Sequence, residues 1–324
     1  MLINILLLIA GLVLILGGAN YMTDGSAALA KRMGMSDFIV GLTIVSMMTS
    51  APELVVSVMS AAGASTDMAI GNIVGSNIFN ILVIIGVVAL IRPIEVTRGV
   101  LVNEIPLVIL SSVVLFVMGC APYIDGTPMV LSRVDGLILL LFFVVFMRYT
   151  IASARKAPAT DPLAEDAQRK KQLPLWKSLV FLLGGLAALI FGGQWFVDGA
   201  VGIARGLGWS EALIGLTILA AGTSLPELAT SAVAAIRGFS GICLGNVIGS
   251  CIFNIFFVLG TTATVMPLQF GNITILDLGV LVGASFLFWI FGWLFRVRTI
   301  TRAEGAVLFF CYIAYILYLC SLIK

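Results

Sequence analysis

Ten apolar stretches run through this chain of 324 residues, each long enough to cross a lipid bilayer as a helix. About 30 Å of hydrocarbon calls for roughly 20 residues of helix. The stretches lie near residues 2–22, 37–62, 68–91, 99–119, 129–151, 178–198, 211–236, 241–266, 274–295 and 303–322. At that depth no water satisfies backbone N–H and C=O groups, so only helices or closed barrels can span. Barrel strands are about ten residues long and alternate apolar with polar, and these stretches do neither. The first stretch carries no small-residue cleavage site with a soluble domain behind it, so it reads as helix one rather than as a signal peptide. The expected fold is an all-α membrane protein of ten transmembrane helices. Composition agrees, with 60% hydrophobic and only 10% charged residues, where soluble domains carry about 25% charged.

Several classes of chemistry are excluded at once. The chain has no histidine, which removes zinc-peptidase motifs, Ser-His-Asp triads and imidazole proton relays. No GxxxxGK[ST] phosphate loop is present, so a pump with its own nucleotide site is disfavoured. The five cysteines, Cys120, Cys243, Cys251, Cys311 and Cys320, are scattered and form no CxxC motif, and they read as packing residues. No cofactor and no nucleic-acid partner is expected; the lipid bilayer is. A monomer is entertained, with the oligomeric state left open.

Charge sets the orientation. Threading ten crossings with the N-terminus outside leaves Arg133, Arg205 and Lys324 outside and the other 15 of the 18 Lys and Arg inside. This positive-inside bias predicts a multi-pass membrane protein with both termini outside and the central loop inside. The polar segment 153–177, with Pro158, Pro162 and Pro174, becomes a cytoplasmic tether between two halves, 1–152 and 178–324.

Those halves are copies. Adding 174 to a residue number maps the first onto the second without a gap from about 24 to 93. Asp24 meets Asp198, Gly34 meets Gly208, Ser36 meets Ser210, and GLTI at 41–44 meets GLTI at 215–218. Thr49, Ser50, Pro52, Glu53 and Leu54 meet Thr223, Ser224, Pro226, Glu227 and Leu228, and Gly71, Asn72, Gly75, Ser76, Phe79 and Asn80 meet Gly245, Asn246, Gly249, Ser250, Phe253 and Asn254. Shared hydrophobicity does not explain this, because most matching residues are polar, glycine or proline. Five helices per copy mean that the second enters the membrane from the opposite face, the inverted repeat of an alternating-access carrier.

The duplicated segments carry the chemistry. Pro52 has no N–H and its ring crowds the carbonyl of Met48, so the second helix should break there and release the carbonyls of Met48 and Thr49. Pro226 should do the same for Gly222 and Thr223. Glu53 stands one turn beyond Thr49 on the same face, so hydroxyl, carbonyl and carboxylate are presented together. An acid at bilayer depth is costly and marks function by default. In the next helix of each copy, Asn72, Ser76 and Asn80, and Asn246, Ser250 and Asn254, form a stripe at four-residue spacing. For Asn72 and Asn246 the favoured reading is interhelical glue; for the other four it is the site. Gly71 and Gly75, like Gly245 and Gly249, allow close helix approach. With Asn80 and Asn254 neutral, the two glutamates give the site a formal charge of −2. An all-oxygen set of this kind suits Na⁺ or Ca²⁺.

The segments GLTIVSMMTSAPEL and GLTILAAGTSLPEL, followed by GNIVGSNIFN and GNVIGSCIFN, resemble the two alpha-repeats of the sodium/calcium exchanger family, within the cation/calcium exchanger superfamily. On this resemblance the motifs span 41–81 and 215–255. The resemblance implies antiport of Na⁺ against Ca²⁺, with helices one and six sliding over the other eight. It implies a Ca²⁺ site from Thr49, Glu53, Thr223 and Glu227. Sodium sites would add Ser46 and Ser76 on one side and Ala220 and Ser250 on the other, with Asn80 and Asn254 near the middle and Ser50 and Ser224 in support. The family's well-studied prokaryotic members carry an aspartate where this chain has Asn254, and a glycine where it has Met48.

Other readings compete with Na⁺/Ca²⁺ antiport: Ca²⁺/H⁺ or K⁺-dependent exchange, a passive channel, and an intramembrane hydrolase using Thr49 or Ser50 beside Glu53. Asp24 and Asp198 read as interface or cap residues rather than gates. Glu104 and Asp277 read as solvated or loop-paired. Gly17 with Gly18, and Gly192 with Gly193, suit close packing of helices one and six. Trp195, Trp209 and Tyr312 read as interfacial anchors.

Overall fold

A computed structural model describes residues 1–63, 66–124, 126–156, 174–208, 220–294 and 298–322. Ten helical segments follow in chain order. They are α1 (Leu2–Met33), α2 (Asp37–Ala62), α3 (Thr66–Ile91), α4 (Val100–Gly119), α5 (Arg133–Lys156), α6 (Leu175–Gly206), α7 (Ala220–Gly222 and Leu225–Ile236), α8 (Ser240–Val265), α9 (Ile275–Leu294) and α10 (Arg302–Leu322). Among the described residues, nine of these are long and apolar enough to span a membrane. The seventh is represented by its short apolar half, and 209–219, which include Trp209, Ser210 and the second GLTI, lie outside the described residues. So do most of the proposed tether's residues, although α5 runs on to Lys156 and α6 begins at Leu175.

Burial sorts the helices into a core and a rim. The most apolar windows of α3 and α8 are 83% and 94% buried, against 17–28% for α1, α5, α6 and α10. The two helices with the polar stripes are therefore the centre of the bundle, and the rim turns its leucines, valines and phenylalanines outward to lipid.

The two copies interlock. Strand β1 (Ile94–Glu95) pairs antiparallel with β4 (Thr299–Ile300), and β2 (Val130–Leu131) with β3 (Leu268–Gln269). Ile94 plus 174 is Leu268, so β1 and β3 are equivalents, and one junction between halves is made twice. Near the axis Ser112 of α4 and Ser285 of α9 share a hydrogen bond at 3.0 Å. Equivalent ends also match: α1 closes on Gly34 at φ 63°, with Met35 N–H reaching the Ala30 carbonyl at 3.0 Å, and α6 is followed by Gly208 at φ 81°. Only glycine takes that left-handed step without strain.

Helices α1 and α6 lie antiparallel, backbone against backbone. A Cβ at Gly18 would stand 2.7 Å from the Gly185 carbonyl oxygen, one at Gly11 would stand 2.6 Å from that of Gly192, and one at Gly199 would meet the Asn4 carbonyl. The glycines recur every seven residues, at 11, 18 and 25 and again, 174 later, at 185, 192 and 199. The expected packing is therefore present, but its register differs from the doublets: Gly18 and Gly192 make it, whereas a Cβ at Gly17 or Gly193 would meet nothing within 4 Å.

Candidate functional site

Both predicted breaks are present. In α2 the helix interrupts at Ser50 (φ −83°, ψ 6°) and resumes at Ala51, with Pro52 in the first turn; in α7 the matching step is Ser224 (φ −91°, ψ 6°) before Leu225–Ile236. One expectation needs correcting: N–H groups at the break bond to the carbonyls of Met48 and Ser46, so the Met48 carbonyl is not free. The chain tightens after Thr49, which lets a neighbouring amide take over what Pro52 cannot give. Leu54 N–H then reaches Ser50 O at 3.2 Å and restarts the ladder. Wider π-helical turns occupy Gly41–Val45, Asn80–Ile84 and Phe253–Leu259, so the two central asparagines sit on matched irregular turns, a frequent mark of functional positions.

The side chains repeat the symmetry atom by atom. Ser50 Oγ donates to Glu227 Oε1 at 3.1 Å, and Ser224 Oγ donates to Glu53 Oε1 at 3.4 Å. Thr49 Oγ1 donates to Asn246 Oδ1 at 3.1 Å, and Thr223 Oγ1 donates to Asn72 Oδ1 at 3.3 Å. Each asparagine amide then braces its own copy: Asn72 Nδ2 to Ser57 Oγ at 3.2 Å and the Glu53 carbonyl at 3.4 Å, Asn246 Nδ2 to Ser231 Oγ at 3.0 Å and the Glu227 carbonyl at 3.5 Å. Asn72 and Asn246 are thus struts that tie each broken helix to the helix of the other copy, as the glue reading holds. Ser57 and Ser231 escaped the sequence reading, although they too match at an offset of 174 and stand one turn beyond the glutamates.

Glu53 and Glu227 are fully buried and close enough to repel one another. Each carboxylate keeps one oxygen, Oε2, without a donor. Seven buried side-chain polar atoms lack a partner among the described residues: Glu53 Oε2, Glu227 Oε2, both amide atoms of Asn80, Asn254 Oδ1, Ser250 Oγ and, away from the centre, Glu304 Oε1. Native interiors leave few such groups, and each asks for a missing ligand or ion. Six of the seven belong to residues singled out from sequence. No cluster of three or more His, Cys, Asp or Glu is found among the described residues, so a cation here would meet two carboxylates and neutral oxygens.

The flanking groups are set by helix crossings. Ser46 packs on α8, where a Cβ at Gly249 would meet its Oγ, and its hydroxyl donates to Leu42 O at 2.8 Å. Ser76 donates to Glu53 Oε1 at 3.5 Å. The first half of α2 crosses the other copy's stripe, and Gly245 and Gly249 admit it; a Cβ on either would press on the carbonyls of Phe38 and Leu42. Ala220 opens the short piece Ala220–Gly222, and its side chain lies outside the described residues. Gly222 accommodates Val197 of α6, whereas Met48 fills the equivalent position, so the half-sites differ as the substitution implies.

Among the described residues, access is one-sided. A cavity of about 480 Å³ reaches Gly222, Thr223 and Pro226 between α2, α6 and α7, past Val56, Leu189 and Asp198. Its symmetry-equivalent positions Ile15, Ala19, Thr23 and Thr230 are at most 5% exposed, so α1 seals the other side. On that sealed side Asp24 accepts a hydrogen bond from Arg237, whose other nitrogen donates to Asn20 O at 3.1 Å, an interface role as expected. Of the reading of Glu104 and Asp277 as solvated or loop-paired, loop pairing holds for Asp277 and neither holds for Glu104. Both are buried beneath neighbouring helices, held by Tyr149 and Tyr315 at 2.8 Å, although Asp277 also takes the Thr274 N–H of its preceding loop.

The family model for "Sodium/calcium exchanger protein" matches residues 3–152 and 177–321. Over 322 residues the chain is 38% identical to a putative antiporter, CaxA, of Alkalimonas amylolytica, covering 97% of this chain and 98% of the relative. It is 30% identical to the sodium/calcium exchanger MaX1 of Methanosarcina acetivorans, covering 98% of each. Among solved structures, the sodium-calcium exchanger NCX_Mj soaked with zero Na⁺ and Ca²⁺ superposes with a TM-score of 0.82 at 33% identity, covering 98% of this chain and 99% of that one.

Proposed function

The chain belongs to the sodium/calcium exchanger family of cation/calcium antiporters, and we propose that its own reaction is the exchange of Na⁺ for Ca²⁺ by alternating access. One Ca²⁺ bridges the free oxygens of Glu53 and Glu227, with the carbonyls of Thr49 and Thr223 and the neutral Asn254 oxygen as further ligands. Na⁺ replaces it at the same carboxylates, drawing on Ser46, Ser76, Asn80, Ser250, Asn254 and the backbone at Ala220, while Ser50 and Ser224 hold the glutamates in place.

The observation that carries this reading is the set of buried, unpartnered oxygens drawn from both copies. Two carboxylates in a dry interior repel each other and lack water, a cost of several kcal/mol that a bound cation removes. One Ca²⁺ balances two negative charges, and so do two Na⁺. Because either load neutralises the site and an empty site is costly, the carrier changes sides loaded, which couples the two fluxes. The one-sided cavity supports a carrier over a channel, since a channel needs both sides open together.

Proton exchange is the second reading, because two buried carboxylates can also take up protons. The neutral oxygens favour sodium: a proton needs a single lone pair, whereas Na⁺ needs several oxygens at once. In reconstituted vesicles, Ca²⁺ uptake should follow an imposed Na⁺ gradient, and Glu53→Gln and Glu227→Gln should each abolish it while the protein still inserts. Uptake driven by an H⁺ gradient alone would select the second reading, and normal flux in Glu227→Gln would refute the site.

A further inference from the structure

Asn254 poses a chemical problem that an acid would not. A carboxylate offers oxygen whichever way it turns; an amide offers oxygen on one side and NH₂ on the other, and a cation rejects the NH₂. A neutral asparagine serves as a ligand only when something holds its oxygen toward the ion.

The structure holds it through two bonds. Asn77 Nδ2 donates to the backbone carbonyl of Cys251 at 3.0 Å, and Asn254 Nδ2 donates to Asn77 Oδ1 at 3.1 Å. A backbone carbonyl only accepts, so the Asn77 atom facing it must be the nitrogen, and the Asn77 oxygen must face away. Asn254 can bond to that oxygen only through its own nitrogen, which turns Asn254 Oδ1 away from Asn77. That oxygen is buried without a partner, and Asn77 and Asn254 are both 0% exposed. Turning Asn254 over would lose a buried hydrogen bond and set oxygen against oxygen.

The other half has no such device. Asn77 plus 174 is Cys251, whose thiol lies within reach of Asn80 but is only a weak sulfur partner, and neither amide atom of Asn80 meets an oxygen or nitrogen partner. We infer that Asn77 is a positioning residue that fixes the Asn254 amide with its oxygen toward the central cation. Asn254 thereby becomes an oriented dipole for a hard cation, while Asn80 is held by no comparable amide relay. The inference rests on the cation-site reading above.

A double-mutant cycle tests it, using Asn77→Ala, Asn254→Asp and both together. The readouts are half-saturating Ca²⁺ in vesicle uptake and the Ca²⁺ dependence of thermal protection of the purified chain. With Asn254 present, Asn77→Ala should raise the Ca²⁺ requirement about tenfold. In the Asn254→Asp background it should change the requirement by less than about twofold, because a carboxylate has no wrong face. Equal shifts in both backgrounds would make Asn77 mere scaffold, and no shift beside Asn254 would equally overturn the inference. Should Asn77→Ala fail to insert, Asn77→Leu keeps the bulk but has neither donor nor acceptor, so the same split is expected of it; normal Ca²⁺ affinity in that variant overturns the inference. Ca²⁺ protection without Na⁺-driven uptake would refute the antiport reading alone, and the cycle would still be read from the thermal shifts.

Discussion

Replacing Gly18 by alanine should destabilise the protein, whereas the same replacement one residue earlier should not. At Gly18 the new Cβ would stand 2.7 Å from the Gly185 oxygen, 2.9 Å from the Leu189 nitrogen and 3.0 Å from the Ala188 Cβ. Relaxed contact is about 3.5 Å, so the axes of α1 and α6 must part by about 0.8 Å at that crossing. Two of the three obstacles are backbone atoms, which no rotamer change can move. Overpacking of this kind costs about 1–3 kcal/mol, against which alanine's better helix propensity returns about 0.5–1 kcal/mol. The net loss, about 0–2.5 kcal/mol and centred on about 1 kcal/mol, should lower the melting temperature by a few degrees. At Gly17 a Cβ meets nothing within 4 Å, so only the propensity gain remains and the melting temperature should hold or rise. Thermal unfolding of both variants in one lipid or detergent system decides the matter. Equal shifts would refute the backbone-to-backbone packing of α1 on α6.

Other consequences follow from the site and its sealed side. Asn246→Ala leaves Thr49 and Ser231 without their partner, so it should cost about 1–3 kcal/mol in stability and raise the half-saturating Ca²⁺; unchanged melting would show that the strut carries nothing. Ser231→Ala removes one bond of the same strut and should weaken Ca²⁺ uptake less than Asn246→Ala does, an order that flux assays can check. Arg237→Ala breaks the contact with Asp24 on the sealed side, a partly exposed pair worth about 0.5–1 kcal/mol. In a background with the native cysteines replaced, a cysteine at Thr230 should then react severalfold faster with a thiol reagent, and unaltered labelling would deny the contact any part in closure.

Much of this is legible because the chain states its design twice. Residues that recur at an offset of 174 and are polar, glycine or proline cannot be coincidental membrane filler, and that register alone locates Glu53, Glu227, the broken turns and the struts. What one copy cannot reveal is which copy's helix a side chain will face. Interlocking, for example, sets Ser46 of the first copy against Gly249 of the second. The glycine heptad is written in the spacing, yet the adjacent doublets mask it. Asn77 matters because its partner is Cys251, and a search for identities discards every mismatch. The partners of Glu104 and Asp277 are tyrosines on neighbouring helices, and no local pattern announces such a pairing. Strands of two residues are too short to leave any periodic trace.

The account depends on a single ion held by acids from both halves, and crystals of this protein grown with Ca²⁺ test that directly. The density should show one ion at about 2.3–2.6 Å from oxygens of both Glu53 and Glu227, the ordinary calcium–oxygen distance, and none there in Glu53→Gln or Glu227→Gln. An ion bound by only one of the two glutamates, or sited elsewhere with both left empty, would contradict it.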